Sequence, residues 1–309
     1  MYLGIDLGGT NLKSGIIDDS GELVFQSSQP TDAINGPESV ISDIEKIFKQ
    51  LSYTYPEIKT VGIGVPGVIT NEGVIKVSPN LPGWIDIPLK KLLLGKISLP
   101  ISIDNDANAG ALAELELGSG RNTKNFLYVT LGTGVGGTII YNNEIFRGES
   151  GGAGEIGHMI IDMNDTSKYD MPFRKGTLEE LIGRKKIIDL ALKILPEYPD
   201  SILNTVTEPD VSYISDAVYE NDPAAVACFI KTGKILGMGL ASAMNLLDIS
   251  ITIIGGGISM SHPLLFDTAL ETIKQRTLPT IASLAELRLA RFTKDAGVIG
   301  AAILGKKAM

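Results

Sequence analysis

The sequence predicts an α/β protein of two lobes with a cleft between them. Apolar strands and helical stretches alternate along its 309 residues, which is the pattern of α/β folds. Two hairpins with a glycine-rich turn, at residues 2–18 and 126–141, look like copies of one unit. Their long spacing indicates two similar halves, because solenoid repeats recur about every 20 to 50 residues.

The remaining elements follow from the periodicity of the apolar residues. Apolar side chains three and four apart predict helices, and short apolar runs that end in turn residues predict strands. The predicted helices are residues 38–51, 107–117, 178–195, 224–247, 264–276 and 298–307. The predicted strands outside the hairpins are residues 61–65, 101–103 and 249–254. No low-complexity linker interrupts this pattern, so we expect the two lobes to be closely joined.

Composition excludes several classes of function. The net charge of −9 argues against a nucleic-acid or anionic membrane partner, because both favour a basic face. The single cysteine, Cys228, excludes an intramolecular disulfide and a cysteine-rich metal cluster, and it suits a reducing compartment. No run reaches the roughly 18 apolar residues of a membrane span, and the N-terminus lacks the basic patch of a secretory signal. We therefore expect a cytoplasmic protein.

Three glycine turns, each after an apolar strand, are candidate phosphate cradles. They lie at residues 8–10, 132–134 and 255–257. Glycine lets backbone N–H groups close around an anion, and the hydroxyl of Thr10 adds a donor. Asp6, at the end of the first strand, could hold a metal ion or its waters. One such turn could be a plain hairpin, but three of them are harder to explain in that way. No Gly-Lys-Ser/Thr follows any of the three turns, which excludes a P-loop.

Two polar clusters are candidates for substrate chemistry. Residues 104–108, Asp-Asn-Asp-Ala-Asn, end a strand and begin a helix, where one side chain is expected to cap the helix. A carboxylate there is kept ionised by the helix dipole and could accept a proton from a substrate hydroxyl. Glu155 and His158, which lie among glycines, could bind neighbouring hydroxyls of a polyol. The other histidine, His262, precedes Pro263 and fits a structural role.

Seven motifs occur in an order that resembles the ROK family of repressors, open reading frames and sugar kinases. The motifs are DLGGT from Asp6, GVPG from Gly64, NLPGW from Asn80, NDAN from Asn105, GTGVGG from Gly132, GEIGH from Gly154 and IGGGI from Ile254. The resemblance extends from residue 3 to residue 303 and implies the two-lobed actin/hexokinase-type (ribonuclease H-like) ATPase fold. We expect one lobe of residues 1–120 plus 296–309 and a second lobe of residues 121–295.

The resemblance implies an ATP-dependent hexose kinase that acts on the sugar 6-hydroxyl, with ATP and Mg²⁺ as cofactors. Asp106 would be the catalytic base that takes the hydroxyl proton as the sugar attacks the γ-phosphoryl group. Asp6 would hold magnesium through water. The implied sugar-binding residues are Gly67, Asn80, Asn105, Glu155, His158 and Glu179. The implied nucleotide-binding residues are Asp6, Gly8, Gly9, Thr10, Lys13, Gly132, Thr133, Gly134, Gly256 and Gly257.

One stretch departs from the family pattern. Many members carry three cysteines after the motif histidine, and these four residues hold a structural zinc. Asp170, Pro172 and Thr177 stand in place of the cysteines, while Gly176 and Glu179 are kept. Proline offers no ligand atom, and structural zinc prefers thiolates, so we expect no zinc. Packing alone would then position Glu179 toward the anomeric end of the sugar.

Several alternatives stay open. Glucose is favoured because residues 80–84 resemble the glucokinase segment; mannose, fructose, allose, N-acetylmannosamine and N-acetylglucosamine are the other candidates. A non-catalytic sugar-sensing repressor would carry a helix-turn-helix before the first glycine turn, which here begins after Asp6, so we expect no nucleic-acid partner. A kinase that forms acyl phosphates is disfavoured by residues 80–84 and 154–158. The resemblance also implies a homodimer.

Overall fold

The chain divides into two compact units. The computed structural model describes residues 1–78, 80–166, 168–169 and 171–309. Unit 1 consists of Met1–Lys124, Ile139–Ala153 and Lys294–Met309, and unit 2 consists of Asn125–Thr138 and Gly154–Thr293. Both units combine a sheet with helices, so the predicted α/β class is confirmed.

The strands form two five-stranded sheets and one three-stranded sheet. The first sheet contains β1 (Tyr2–Leu7), β2 (Asn11–Ile17), β3 (Leu23–Pro30), β4 (Thr60–Val65) and β8 (Ile101–Asn105). The small sheet contains β5 (Val68–Ile69), β6 (Ile75–Val77) and β7 (Ile85–Ile87). The remaining sheet contains β9 (Phe126–Leu131), β10 (Val135–Tyr141), β11 (Glu144–Phe146), β12 (Ile251–Gly255) and β13 (Glu286–Leu289).

Ten α-helices cover these sheets in the described part of the chain. Those of unit 1 are α1 (Pro37–Thr54), α2 (Leu89–Leu94), α3 (Asp106–Leu117) and α10 (Ala296–Lys307). Those of unit 2 are α4 (Glu179–Ile182), α5 (Arg184–Ile194), α6 (Val211–Tyr219), α7 (Pro223–Leu247), α8 (Leu264–Arg276) and α9 (Pro279–Ala282).

The two large sheets share one strand order, in agreement with the repeated glycine hairpin. The first runs β3-β2-β1-β4-β8 and the second runs β11-β10-β9-β12-β13. In each sheet the strand before the glycine turn, β1 or β9, is the central strand. It pairs in parallel with β4 in the first sheet and with β12 in the second. Every residue of β4 is buried, because central parallel strands are covered on both faces.

The expected helix at residues 178–195 is wrong as a single helix. It is split into α4 and α5 by Gly183, whose backbone is extended at ψ 156°. The Gly183 backbone is also confined, since an added Cβ would lie 3.0 Å from the carbonyl oxygen of Thr133. The apolar periodicity continues across this break and therefore did not indicate it.

Helix α7 is long and apolar enough to span a membrane by length and composition, and it is the one such helix in the described residues. Of its most apolar 18-residue window, 61% is buried inside the protein. Phe229, Leu236 and Leu240 are fully buried, as expected for a core helix. This helix is therefore weak evidence for a membrane span.

Candidate active site

The carboxyl ends of three parallel strands in unit 1 carry the acidic motif residues. In the β1, β4 and β8 ladder, Asp6 pairs with Gly64, and Gly64 pairs with Asp104. Asp106 follows directly, as the first residue of α3. Open α/β sheets bind ligands at this edge, so the topology brings Asp6 and Asp106 to a plausible ligand-binding position.

Asp6 and Asp106 both have raised pKa values, and the charge of Asp106 contributes to the rise at Asp6. Burial raises the pKa of Asp6 to about 6; the charge of Asp106 adds to the rise and that of Lys13 opposes it. Burial also raises the pKa of Asp106, although a hydrogen bond from the Ala107 N–H acts in the opposite direction. An added Cβ at Gly297, in the first turn of α10, would lie 2.5 Å from Oδ2 of Asp6. The two carboxylates therefore sit in a confined site where negative charge is costly.

Asp104 is buried near the end of β8 and braces the start of α3. Its Oδ1 accepts hydrogen bonds from the Asn105 backbone N–H and from Nδ2 of Asn108, both at 2.8 Å. Its Oδ2 lies 2.6 Å from Nη1 of Arg147. A buried charge needs such partners, and this arrangement fixes the backbone that carries Asp106.

Asn105 is the side chain that caps α3. Its Oδ1 accepts hydrogen bonds from the N–H groups of Ala107 at 2.8 Å and Asn108 at 3.2 Å. Its Nδ2 donates to the carbonyl oxygen of Gly67 at 2.9 Å. The expected cap is thus identified, and a sugar would meet an amide that already has three structural partners.

The first glycine turn uses part of its own hydrogen-bonding capacity. The N–H of Gly8 donates to the carbonyl of Asn11 at 2.9 Å, which closes the turn. Thr31 braces it from outside, because its hydroxyl donates to the Gly8 carbonyl at 2.7 Å and its N–H donates to the Thr10 carbonyl. Gly9 and Thr10 are exposed. Gly8 therefore serves the shape of the turn.

Two other predicted residues lie near this turn. The backbone of Gly9 approaches Asn80 closely, since an added Cβ would lie 2.7 Å from the Asn80 carbonyl oxygen. Asn80 is exposed in a short loop that is closed by a 3.1 Å hydrogen bond from the Ser78 N–H to the carbonyl of the buried Trp84. Nζ of Lys13 lies 3.2 Å from the Lys294 carbonyl oxygen.

The second glycine turn, in unit 2, is held by Glu179. Oε2 of Glu179 accepts a hydrogen bond from the Val135 N–H at 2.9 Å, and there is no room for a side chain at Gly134 beside it. The carbonyl of Gly132 accepts from the Arg184 N–H at 3.0 Å, and the Gly132 N–H donates to the Gly134 carbonyl. The carboxylate of Glu179 thus accepts hydrogen bonds from the Val135 N–H of this turn and from Nη2 of Arg174.

The third glycine turn packs against the second. Gly256 has a φ of +82°, which favours glycine, and an added Cβ would collide with the backbone of Leu131. A cavity of about 200 Å³ opens beside Gly257. Arg184 lines it and pairs with both carboxylate oxygens of Asp210, at 3.0 and 3.1 Å. Further lining residues are Ser212, Ser215, Asp216 and Met260.

Glu155 immediately precedes a single 3₁₀ turn, Ile156–His158, which His158 ends, and both side chains are exposed. The His158 ring lies 5.8 Å from the ring of Phe173, which comes from the loop before Glu179. An exposed imidazole, carboxylate and aromatic ring are groups that bind sugar hydroxyls and sugar faces.

Four residues that the sequence analysis did not assign support these groups. Arg147 pairs with Asp104, Thr31 braces the first glycine turn, Arg184 lines the cavity, and Arg174 lies 2.6 Å from Oε1 of Glu179. No short motif marks them. The usable signal was weak: Arg174 and Arg184 lie on either side of an acidic pair, Glu179 and Glu180.

Comparison with solved structures identifies the fold. A ROK family glucokinase from Streptomyces griseus in complex with glucose and AMPPNP superposes with a TM-score of 0.81 and 27% identity over 99% of both chains. The predicted two-lobed hexokinase-type fold class is therefore confirmed.

Sequence relatives point to the same family. The chain is 35% identical to a glucokinase of Halalkalibacterium halodurans, over 99% of this chain and 95% of that protein. It is 30% identical to a putative xylose repressor of a Caldicellulosiruptor species, over 97% of this chain and 76% of that protein. The family model described as the ROK family matches residues 2–308. The chain with this pair of carboxylates and these glycine turns therefore belongs to the ROK family.

Proposed function

We propose that this protein is an ATP-dependent hexose kinase that phosphorylates the 6-hydroxyl of glucose. The observation that carries the proposal is the placement of Asp106 beside Asp6, at the ligand-binding edge of a parallel sheet and at the start of α3. A base, a cation ligand and glycine turns are the parts that phosphoryl transfer requires.

Asp106 acts as the base in this proposal. It takes the proton of the sugar 6-hydroxyl while that oxygen forms a bond to the γ-phosphorus, and the bond from phosphorus to the bridging oxygen of ADP breaks. The products are the sugar 6-phosphate and ADP. The raised pKa of Asp106 makes it a stronger base than an exposed aspartate, which suits this role.

The glycine turns and Lys13 bind the triphosphate. The exposed Gly9 and Thr10 of unit 1, and Thr133 and Gly134 of unit 2, are the turn residues whose N–H groups serve as donors. Gly8 and Gly132 shape their turns instead. The cavity beside Gly256 and Gly257 takes the adenosine, with Arg184 along its wall.

Asp6 fits a magnesium ion. Mg²⁺ takes few protein carboxylates and completes its shell with water and phosphate oxygens. The carboxylate of Asp6 has a pKa raised by burial and by Asp106, so a cation would relieve the repulsion that the two groups share. Bound there, the ion would neutralise charge on the transferred phosphoryl group.

The sugar is bound by Asn80, Glu155 and His158, with support from Asn105 and the backbone of Gly67. Glucose is chosen over mannose, fructose, allose and the two N-acetylhexosamines because the relatives named glucokinase align over nearly the whole chain. Glu179 contributes by fixing the second glycine turn, to which its Oε2 is bonded.

A sugar-sensing regulator without kinase activity is the second candidate. The observation that favours it is the similarity to xylose repressors, which covers 96–97% of the chain and 76% of each repressor. Sugar binding without turnover would distinguish this function from the first.

The deciding experiment is a coupled assay of ADP release with ATP and Mg²⁺ over a panel of hexoses, N-acetylhexosamines and xylose. We expect strong turnover with glucose and none without sugar. The Asp106→Asn variant should lose several orders of magnitude in kcat while its sugar affinity, measured by calorimetry, changes little, because the base acts mainly in the transition state.

Each outcome is informative. Turnover of another hexose would keep the kinase and correct the sugar. Binding of a sugar with no ADP release would favour the regulator. A near-normal rate in Asp106→Asn would remove Asp106 from the mechanism.

A further inference from the structure

The segment between His158 and Glu179 is a long loop that is pinned at its base. Ile160 and Thr177 form an isolated antiparallel bridge, and the N–H of Ile161 donates to the Gly176 carbonyl at 2.8 Å. The N–H of Leu178 donates to the Met159 carbonyl at 2.9 Å. Here the loop means residues 159–178.

The residues of this loop do not fit a zinc ion. Of the three positions that would hold cysteines, Asp170 lies outside the described residues and Pro172 has no ligand atom. The hydroxyl of Thr177 donates to the carbonyl of Arg174 at 2.9 Å. Within the described parts of the chain, no group of three His, Cys, Asp or Glu side chains could hold a metal ion. Pro172 and Thr177 therefore do not supply the ligands that a structural zinc prefers.

Arg174 instead links the loop to the first two residues of α4. Its Nε donates to Oε1 of Glu180 at 2.7 Å and its Nη2 donates to Oε1 of Glu179 at 2.6 Å. Lys186 lies 2.9 Å from the other oxygen of Glu180. The Glu180 side chain is only 8% exposed, whereas that of Arg174 is 30% exposed, so the carboxylate is the buried partner of this pair. A planar guanidinium that bonds two carboxylates gives a fixed geometry.

Glu179 transmits this geometry to the second glycine turn. One of its oxygens is bonded to Arg174, and the other accepts the Val135 N–H at 2.9 Å, beside Gly134. Loss of the guanidinium would free the carboxylate to rotate away from Val135. The same loop carries Phe173, whose ring lies against His158.

We propose that Arg174 is a positioning residue that replaces a metal as the anchor of the loop and, through Glu179, fixes the glycine turn at residues 132–134. The effect on catalysis rests on the proposed kinase function, whereas the effect on the loop and the turn does not.

The test compares Arg174→Ala and Arg174→Lys with the control Lys175→Ala, which removes the same charge from the exposed neighbouring position. Hydrogen exchange is followed by mass spectrometry in peptides that cover residues 159–178, 131–137 and, as a reference in unit 1, 106–117. We expect Arg174→Ala to speed exchange in the first two peptides and to leave the third unchanged.

Kinetics separate positioning from a general loss of structure. We expect kcat/KM for ATP to fall by about 100-fold in Arg174→Ala, since a small misplacement of a binding group costs that much. Arg174→Lys keeps the charge but loses the planar fork that bonds two carboxylates, so it should recover only part of the loss, about tenfold. Lys175→Ala should behave as the wild type.

Treatment with a chelator is the third part of the test. Wild-type protein washed with a strong chelator should contain less than about 0.2 equivalents of zinc and keep its exchange pattern, because a structural zinc site would hold one ion per chain. Loosening of the loop on chelation, or unchanged exchange at residues 131–137 in Arg174→Ala, would overturn the proposal. If the wild type phosphorylates no sugar, the kinase function fails, and the exchange data still decide the role of Arg174.

Discussion

At the scale of single residues, the candidate site holds carboxylates in positions where their negative charge is disfavoured. Asp6 has a pKa of about 6 in the folded protein against an ordinary value of 3.8, because burial and Asp106 both disfavour its charge. Such placement is typical of functional groups, which are held for their chemistry at the expense of stability.

We predict that Asp6→Asn stabilises the ligand-free protein at pH 7.5. The folded pKa of Asp6 exceeds the unfolded one, so the folded state binds the proton more tightly and the wild type loses stability as the pH rises from about 4 to 6. The variant should gain about 1–3 kcal/mol in free energy of unfolding at pH 7.5 and little near pH 4.

Urea unfolding at both pH values measures this difference. The exposed Asp200→Asn is the control and should change stability by no more than about 0.5 kcal/mol. A less stable Asp6→Asn variant at pH 7.5 would contradict the interpretation that repulsion and burial dominate at this carboxylate.

The first and second glycine turns differ in the space that they leave for a side chain. An added Cβ at Gly9 would press on the Asn80 carbonyl at 2.7 Å, whereas nothing lies within 4 Å of one at Gly132. We therefore predict that Gly9→Ala destabilises the ligand-free protein by about 1–3 kcal/mol, as overpacking does. Gly132→Ala should change stability by no more than about 0.5 kcal/mol. Equal unfolding midpoints in urea for the two variants would refute the close approach of Gly9 to Asn80.

At the scale of elements, helix α3 depends on its first residues. It begins with a capped N-terminus, and the cap residue also bonds to the Gly67 carbonyl of another loop. The helix start thus ties two loops together and aims Asp106. The motif NDAN therefore serves structure and chemistry at once.

We predict that Asn105→Ala lowers the free energy of unfolding by about 1–2 kcal/mol, because the N–H groups of Ala107 and Asn108 lose their acceptor. Asn105→Ser keeps a capping oxygen but cannot replace the bond to Gly67, so it should recover part of this loss. Thermal unfolding of the three proteins measures the series. A serine variant no better than alanine would show that the bond to Gly67, and not the cap, dominates.

Elements that the sequence predicted correctly are those with their own apolar period. Helix α8 is found with the expected bounds, and α3 and α7 each begin one residue earlier than expected. The break at Gly183 was not predicted, because its cause is the packing of Gly183 against Thr133, about 50 residues away along the chain. Short edge strands such as β11 and β13 lack enough residues to show a period.

At the scale of the whole molecule, the division of the chain bears on how a bound ligand stabilises the fold. The chain passes between unit 1 and unit 2 four times, so neither unit is a continuous segment. A ligand that binds only the folded state adds about 2.7 kcal/mol at 100 times its Kd.

We predict that glucose with a non-hydrolysable ATP analogue and Mg²⁺ raises the Tm by about 5 °C or more, from the known relation of free energy to Tm in chains of this size. Differential scanning fluorimetry measures the shift, with Asp106→Asn as a binding-competent control and xylose as the alternative sugar. A shift with xylose and none with glucose would favour the regulator over the kinase.

The sequence by itself determined the family, the α/β class, the three glycine turns and the polar residues at the strand ends. These features are local, because each depends on residue type and short spacing. The tertiary structure alone decided which groups do which work: that Asn105 caps α3, that Asp104 needs Arg147, and that Glu179 reaches Val135, 44 residues away. Such contacts join distant parts of the chain, and no local pattern encodes which partner a buried or confined charge will find.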